Sequence, residues 1–261
     1  MAISLELSDL TKLFPADRSS EPVIVIKGFD CRIEKGQFVS IVGPSGCGKT
    51  TILRIVAGLE SATSGQVLLD GKAVTKRDQR VGLVFQEFAL YPWRTTIQNI
   101  ELGLEIKGVA KKDRTSAAME YIRNFGLAGF ENRYPKELSG GMKQRVAIAR
   151  TLIVNPEVVL MDEPFGSLDS QTRNDMQAFL MGVWTRRKDT ILFVTHNVDE
   201  AVYLSDRIFV LSERPTRILR RIDVDAPRPR DRTGEESNRV RKEILNLLAD
   251  SKGNFPQSAP V

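Results

Sequence analysis

The residues best suited to chemistry in this sequence lie in one short glycine-rich segment. Residues 43–50 read GPSGCGKT and follow an apolar run at residues 38–42. A strand ending in such a turn can point successive backbone N–H groups at a polyphosphate, and the helix predicted to follow adds its positive end. Lys49 could reach the β- and γ-phosphates, and Thr50 could hold Mg²⁺. The segment predicts a phosphate-binding loop; the alternative is a glycine turn that matches the pattern by accident.

Two neighbouring carboxylates follow a second apolar run. Asp162 and Glu163 come directly after residues 158–161, which read VVLM. Carboxylates at the carboxyl end of a buried strand lie where α/β sheets bind ligands. Asp162 is suited to Mg²⁺, directly or through water, and Glu163 to activating a water in line with the γ-phosphate. The alternative is a solvated acidic turn.

Two single polar residues also follow predicted strands. His196 is the only histidine in the chain and comes after the apolar run at residues 191–194 and Thr195. Gln86 comes after a strand predicted at residues 81–85. The histidine could contact a γ-phosphate, and the amide could reach Mg²⁺ or the attacking water. Taken alone, each is as well explained by an ordinary core or surface residue.

A second segment could bind an anion by the same physics as the first. Residues 138–144 read LSGGMKQ, which places a hydroxyl and two glycines at the start of a predicted helix, with Ser139 as its N-cap. The alternative is a capped helix start without a ligand. If both segments bind the same nucleotide, they must lie close together in space, either within one chain or across a dimer.

The elements that must position these residues indicate an α/β protein. Residues 4–33 read as an antiparallel β piece, residues 66–74 as a hairpin, and residues 96–154 as helices without strand signals. Strand and helix patterns then alternate again, which indicates a mainly parallel sheet. We expect a phosphate-loop core with an N-terminal antiparallel β piece and an inserted helical subdomain.

The predicted organisation is one domain over residues 1–261. Residues 1–86 and 155–215 would form the nucleotide-binding core, residues 87–154 the helical subdomain, and residues 216–261 a C-terminal extension. The extension carries an amphipathic helix marked by Val240, Ile244, Leu247 and Leu248. Residues 253–261 are expected to fray.

Composition excludes several classes of protein. The chain has 261 residues, of which 41% are apolar and 27% charged, the balance of a globular protein. It contains no apolar run near the ~18 residues of a membrane span and no basic N-terminal signal segment, so we expect it in the cytosol. Cys31 and Cys47 have no metal-binding or redox spacing. A net charge of +5 does not select a partner.

In order along the chain, these motifs resemble the ATP-binding subunit of an ATP-binding-cassette (ABC) transporter. The motifs are the Walker A loop at residues 43–50, Gln86, the signature at residues 138–144, Walker B at residues 158–163, the D-loop at residues 167–169 and His196. Six motifs in this order are highly specific. The signature is the discriminating one, since phosphate-loop kinases and GTPases lack it.

The resemblance implies that two chains enclose two ATP molecules, with Mg²⁺, head to tail. It implies that Phe14 stacks on adenine, the alternative being a core aromatic. The remaining cofactor contacts within one chain would come from Gly43, Pro44, Ser45, Gly46, Cys47, Gly48, Lys49, Thr50, Thr51, Gln86 and Asp162. Contacts across the dimer would come from Ser139, Gly140, Gly141, Gln144 and Asp169. Metal ligands would be Thr50, Gln86 and Asp162, and catalytic residues Lys49, Gln86, Glu163 and His196.

Within the family, the sequence is similar to importers of the nitrate, sulfonate and taurine group. The similar segments are residues 91–95, 161–169, 171–173 and 198–204. One departure is Gly166-Ser167, where alanine is common in the D-loop. The implied partners are a second cassette, identical or paralogous, membrane permeases that meet residues 87–96, and indirectly a solute-binding protein. The chain would then lie on the inner face of the cell membrane. The aromatics of residues 91–93 could equally pack locally.

A rival interpretation is a cassette ATPase that acts on nucleic acid or ribosomes through the arginines of residues 217–232. The chain has one cassette and no long coiled-coil insertion between Walker A and the signature. Nucleic acid is therefore not an expected partner. We expect these arginines to form a solvated or membrane-proximal face.

Overall fold

The computed structural model describes residues 3–15 and 21–253. The predicted polar loop at residues 17–20 lies outside these residues, and so do residues 254–261 of the segment predicted to fray. Residue 253 of that segment is the last residue of a helix. The chain divides into two compact units, each described separately below. The first unit is Met1–Asp78 with Asp189–Val261, and the second is residues 79–188.

The elements are numbered in chain order. The strands are β1 (Ile3–Phe14), β2 (Val23–Glu34), β3 (Phe38–Val42), β4 (Ser64–Leu69), β5 (Lys72–Ala73), β6 (Val81–Val84), β7 (Val158–Asp162), β8 (Thr190–Thr195), β9 (Arg207–Leu211) and β10 (Ile218–Asp223). The helices are α1 (Lys49–Val56), α2 (Thr96–Ile100), α3 (Leu102–Ile106), α4 (Lys111–Asn124), α5 (Gly140–Leu152), α6 (Ser170–Arg187), α7 (Val198–Leu204) and α8 (Glu235–Gly253). A 3₁₀ turn covers Pro135–Glu137.

The first unit contains the predicted antiparallel β piece as a four-stranded sheet in the order β2-β1-β4-β5. Leu5, Leu7 and Leu10 of β1 are buried, and the register with β2 shifts between Leu7 and Leu10. The predicted hairpin joins β4 to β5 through Asp70 and Gly71, which both have positive φ, as a tight hairpin turn requires.

A parallel group of strands in the same unit carries the phosphate-loop segment. β3 pairs in parallel with β8 on one side and with β9 on the other, and β10 pairs antiparallel to β9. All five residues of β3 are buried, as expected for a strand covered on both faces. The pairing places Val42 beside both Thr195 and Val210, so the segments that follow these strands start at one edge of the sheet.

The second unit contains the predicted run of helices together with two strands. β6 and β7 pair in parallel, and α2 to α5 occupy the chain between them. Ser139 is the N-cap of α5, as predicted, and its hydroxyl accepts a bond from the Met142 N–H at 3.3 Å. One detail of the prediction was wrong: β6 ends at Val84, and the Phe85 side chain is 45% exposed because the chain leaves the sheet there.

The C-terminal part of the first unit packs onto its core. Val240 and Ile244 of α8 are fully buried, and Leu247 and Leu248 pack against the same cluster, which confirms the amphipathic helix. β10 extends the sheet beyond residue 215. The two compact units divide the chain at other positions than the predicted subdomains do, and the functional division given above stays a prediction.

Two arginines correct the expectation of a solvated basic face. Arg217, Arg220 and Arg221 are exposed, but Arg230 is only 7% exposed, and Arg228 pairs with Asp206 and donates to the Leu204 carbonyl at 2.6 Å. These guanidinium groups satisfy carbonyls at the end of α7, which a reading of charge alone does not detect.

Over residues 3–15 and 21–253, none of the helices combines the length and the apolar character needed to span a bilayer.

Candidate active site

The glycine-rich segment connects β3 to α1 and has the backbone shape that only glycine tolerates well. Gly46 has φ 75° and Gly48, the N-cap of α1, has φ 124°, both rarely adopted by other residues. A Cβ atom at Gly48 would lie 2.9 Å from a methyl carbon of Val25. The close approach of β2 and the turn itself therefore both require glycine.

Lys49 supplies a positive charge at this turn. Its side chain is buried, and its ammonium donates to the carbonyl of Gly43 at 2.9 Å and to that of Pro44 at 2.8 Å. The first turn of α1 contains no acidic residue, so the lysine charge and the helix dipole act together. This arrangement is suited to an anion with several oxygens, such as a polyphosphate.

Two residues beyond β9 hold the outer side of the loop. Arg214 donates from Nε to the Gly46 carbonyl at 2.6 Å, and the Thr216 hydroxyl donates to the Cys47 carbonyl. Neither residue was identified from the sequence. The only available signal was their position, three and five residues after the end of β9, a strand that pairs with β3.

The thiol of Cys47 lies within the loop but is only 2% exposed. Burial raises its pKa above the ordinary 9.0, and the nearby Lys49 charge offsets part of that effect. The thiol is therefore largely protonated near neutral pH. Cys47 contributes a backbone N–H and a small buried side chain to the site.

His196 lies beside the phosphate loop in the first unit. It directly follows Thr195, the register partner of Val42, so the two chain segments leave adjacent parallel strands that are spaced about 4.8 Å apart. The Thr195 hydroxyl donates to Glu200 at 2.7 Å and accepts from the Asn197 N–H at 3.0 Å. These bonds fix the backbone on both sides of an exposed His196.

Phe14 is half-buried at the end of β1 rather than in the core. It pairs with Val23, two residues before Val25, whose methyl lies over Gly48. Two residues span about 7 Å along a strand, so Phe14 is close enough to the start of α1 for an adenine platform. The Lys12 ammonium lies 4.7 Å from the ring centroid and also pairs with Glu60 at 2.7 Å.

The second unit brings Gln86, Asp162 and Glu163 to one sheet edge. Val84 of β6 pairs with Met161 of β7, so these polar residues follow the two strands in step. Glu163 has φ 42°, and its carbonyl accepts a bond from the Gly166 N–H at 3.0 Å. The chain therefore turns sharply at Glu163, a conformation that is sparsely populated and concentrated at functional sites.

The predicted Mg²⁺ ligands fit a hard cation by their chemistry. Thr50, Gln86 and Asp162 offer a hydroxyl, an amide oxygen and a carboxylate, the oxygen donors that Mg²⁺ prefers. Among the residues that the structure describes, no group of three His, Cys, Asp or Glu side chains could hold a metal ion. Mg²⁺ usually binds through one or two carboxylates, phosphates and water, and needs no such cage.

The two glycines of the signature segment pack closely on Leu168 and on the first turn of α6, within the second unit. A Cβ atom at Gly140 would lie 3.1 Å from Leu168, and one at Gly141 would lie 3.0 Å from Thr172. Asp169 is the N-cap of α6, and the Thr172 N–H donates to its carboxylate at 3.0 Å, which lowers the pKa of Asp169. Ser139 is exposed, whereas the Gln144 side chain is fully buried in α5, which argues against its direct contact with a nucleotide.

The chain is similar to proteins of known family along nearly its whole length. Residues 26–166 match the ABC transporter family. An uncharacterized ABC transporter ATP-binding protein of Methanocaldococcus jannaschii is 51% identical over 96% of this chain and 93% of its own. An aliphatic sulfonates import ATP-binding protein of Bacillus cereus is 43% identical, with 93% and 95% covered. A nitrate import ATP-binding protein of Synechocystis is 45% identical, with 92% and 89% covered.

Solved structures agree with this match. A dimeric ATP-binding cassette in a post-hydrolysis state, bound to ADP and Pi, superposes with a TM-score of 0.73 at 33% identity, covering 85% of this chain and all of the other. The chain belongs to the ABC transporter family, and the resemblance drawn from its motifs is confirmed. The predicted α/β cassette fold and the predicted ATPase class are confirmed with it.

Proposed function

We propose that this chain is the ATP-binding and ATP-hydrolysing subunit of an importer for a small anion of the sulfonate or nitrate class. The observation that carries the proposal is the loop of residues 43–50, whose glycine conformations and buried Lys49 form a polyphosphate cradle in a chain of this family. The substrate class follows from the two named import relatives, at 43% and 45% identity. Neither of these two relatives is named as a taurine importer.

In this proposal, different residues of the chain bind ATP, hold the metal ion and catalyse hydrolysis. Residues 43–51 bind the ATP phosphates, Lys49 neutralises their charge, and Phe14 stacks on adenine. Thr50, Gln86 and Asp162 would hold Mg²⁺, and the ion would supply positive charge that offsets the charge of the phosphates. Glu163 accepts the proton of the attacking water, and His196 and Gln86 orient the water and γ-phosphate. A second cassette contributes Ser139, Gly140, Gly141 and Asp169, while Gln144 supports that surface from within.

A loop of the second unit is suited to meet a membrane subunit. Trp93 is 69% exposed and lies edge-on against Tyr91, with ring centroids 5.4 Å apart. The buried Asn99 accepts from the Tyr91 N–H at 2.9 Å and donates to the carbonyls of Tyr91, Arg94 and Thr95. Arg150 donates to the carbonyls of Phe88 and Ala89. An exposed aromatic side chain on a fixed backbone is typical of an interface anchor.

A surface cavity beside this loop offers room for a partner's side chains. It has a volume of about 420 Å³, and its lining includes Phe88 and Leu90, the two lysines Lys136 and Lys143, and one acid, Glu87. The mixed apolar and basic lining favours an amphipathic segment that carries acidic residues. In the proposed importer this segment belongs to the permease, the chain lies on the inner face of the membrane, and a solute-binding protein delivers the anion.

The experiment is purification of the tagged chain from detergent-solubilised membranes of its native cells. We expect a polytopic membrane protein to copurify with the wild type. If Trp93 is a hot spot of the interface, Trp93→Ala should weaken this association by about thirtyfold, the lower bound for truncating such a residue. Ile106→Ala is the matched control, since Ile106 lies in the same unit and is 78% exposed.

One outcome would contradict the importer, and another would contradict only the aromatic loop as its contact. One is copurification of nucleic acid or ribosomal protein without any membrane protein, which would support the rival cassette function. The other is equal retention of the membrane protein by the Trp93→Ala and Ile106→Ala variants, which would exclude the aromatic loop as the contact.

A further inference from the structure

The segment of residues 212–217, between β9 and β10, lies against the phosphate loop in the first unit. β9 pairs with β3 up to Val42 and Val210, so the chain after β9 emerges beside the loop after β3. Thr216 is fully buried there; its N–H donates to the Val25 carbonyl at 2.9 Å, and its own carbonyl accepts from the Lys27 N–H at 3.2 Å. The segment is thus fastened to β2 and to the loop at once.

We infer that Arg214 and Thr216 are positioning residues for ATP, because they fix the peptide planes whose N–H groups face the phosphates. Arg214 binds the carbonyl of Gly46, and Thr216 binds the carbonyl of Cys47. In a trans peptide, the carbonyl and the N–H of one plane point in opposite directions. Holding these two carbonyls outward directs the N–H groups of Cys47 and Gly48 toward the loop interior.

A contact inside the loop agrees with this orientation. The Cys47 N–H donates to the Pro44 carbonyl, another residue of the same loop, with an N···O distance of 3.4 Å. That distance is long for a hydrogen bond between backbone groups, whose usual value is about 2.9 Å. The Cys47 N–H therefore points into the loop but makes only a weak hydrogen bond there. It can exchange the Pro44 carbonyl for a stronger acceptor, and a phosphate oxygen is such an acceptor.

The two side chains hold the loop in different ways. Arg214 is exposed, and its bond is the charge-assisted kind, which is stronger than a neutral one. Thr216 is buried, so its removal would leave the Cys47 carbonyl without its partner. The inference rests on the proposed ATP site, and it adds a second layer of residues that prepare the loop before the nucleotide arrives.

The test measures the dissociation constants of ATP and ADP for purified variants, with the melting temperature in the absence of nucleotide. Arg214→Ala should raise both constants by about threefold to tenfold and raise KM, while kcat at saturating ATP changes less than twofold and the melting temperature stays within 1 °C. Arg217→Ala removes the same charge from an exposed neighbour that does not touch the loop, and should bind like the wild type.

Two conservative variants separate positioning from general charge. Arg214→Lys keeps the charge but not the geometry of Nε, and should remain weakened. Thr216→Ser keeps the hydroxyl and should bind like the wild type, whereas Thr216→Val should weaken binding. If Thr216→Val does not fold, the two Arg214 variants and the Arg217→Ala control are sufficient to test the inference.

The inference is overturned if Arg214→Ala binds ATP as well as Arg217→Ala does, or if Arg214→Lys restores full affinity, which would indicate through-space attraction. It is also overturned if Arg214→Ala lowers the melting temperature without changing either constant. Lys49→Ala is measured in parallel. Wild-type affinity in that variant would reject the ATP site itself, a result distinct from a failure of the Arg214 series.

Discussion

At position 47, a cysteine occupies the middle of a phosphate loop, yet its chemistry is suppressed by its surroundings. The thiol is 2% exposed, and burial raises its pKa above 9.0. Because the thiolate is the reactive form, a raised pKa and poor access act in the same direction. Cys31 is more extreme, since burial raises its pKa to about 12.

We predict that alkylation of Cys47 is slow at pH 7 and accelerates about tenfold per pH unit as the pH rises toward 9, because the thiolate fraction rises in that proportion below the thiol pKa. Saturating ATP should slow the reaction further. Peptide mass spectrometry after timed treatment with iodoacetamide measures both cysteines in one sample, and Cys31 serves as the internal slow control. Rapid labelling at pH 7 that does not depend on pH would contradict the burial of Cys47.

The residues of the phosphate loop could be predicted from sequence because their types are dictated by local backbone shape. Positions 46 and 48 have positive φ, and glycine is the residue type that adopts positive φ without strain. The residue type therefore indicates the backbone conformation. Arg214 and Thr216 act on the same loop, but from a position about 170 residues away in sequence. Their contact depends on the pairing of β9 with β3, which no short motif encodes.

Among the elements, α7 shows how a basic residue can be structural. Arg230 is 7% exposed and donates to the carbonyls of Val202, Tyr203 and Ser205 at the end of α7, and to that of Val224. Burial lowers the pKa of Arg230 to about 10. The other end of the same helix is capped by Asn197, the residue after His196, so Arg230 helps to hold the element that follows the histidine.

Arg230→Ala should lower the free energy of unfolding by about 2 to 4 kcal/mol, because several helix-end carbonyls lose their donor in a buried place. Urea unfolding followed by circular dichroism measures this. Arg239→Ala removes an exposed arginine that pairs with Glu236 on α8, and should cost no more than about 0.5 kcal/mol. Equal losses for the two variants would show that Arg230 is not structural.

The element pattern of the fold was predictable where periodicity is strong, as in the helices between residues 96 and 154 and in α8. It was less predictable at strand ends, where Phe85 continues the apolar run of β6 but is exposed. An apolar run shows which residues favour burial, but the point at which the chain leaves the sheet depends on the neighbouring strand. The structural roles of Arg228 and Arg230 were missed because charge alone does not show which carbonyls at the end of α7 these side chains reach.

For the whole molecule, the proposed function requires a second cassette, identical or paralogous. Ser139 is exposed, and the helix it caps begins with two glycines that pack closely on Leu168 and Thr172. The similar solved cassette is dimeric and bound to ADP and Pi. A surface built in this way is suited to close on the nucleotide of an opposite chain.

Glu163→Gln should keep ATP affinity, lower kcat by about 10² to 10⁴, and accumulate an ATP-dependent dimer, since the base is lost while the phosphate contacts remain. Steady-state ATPase assays and sedimentation analysis with and without ATP measure these effects. Glu157→Gln is the control, because Glu157 is an exposed acid just before β7, at the end of the strand away from Glu163. Unchanged hydrolysis in Glu163→Gln would remove Glu163 as the base.

The fixed loop that carries Trp93 has a consequence for how its sequence can vary. One buried amide, that of Asn99, makes four hydrogen bonds to the backbone of residues 91–95. Docking onto such a loop costs little conformational entropy, because the backbone is already ordered. The same bonds also fix the length of the loop. Inserting or deleting one residue in it would move the backbone carbonyls away from the Asn99 amide that binds them. The exposed side chains of this loop are therefore free to diverge between relatives with different partners, whereas its length is not.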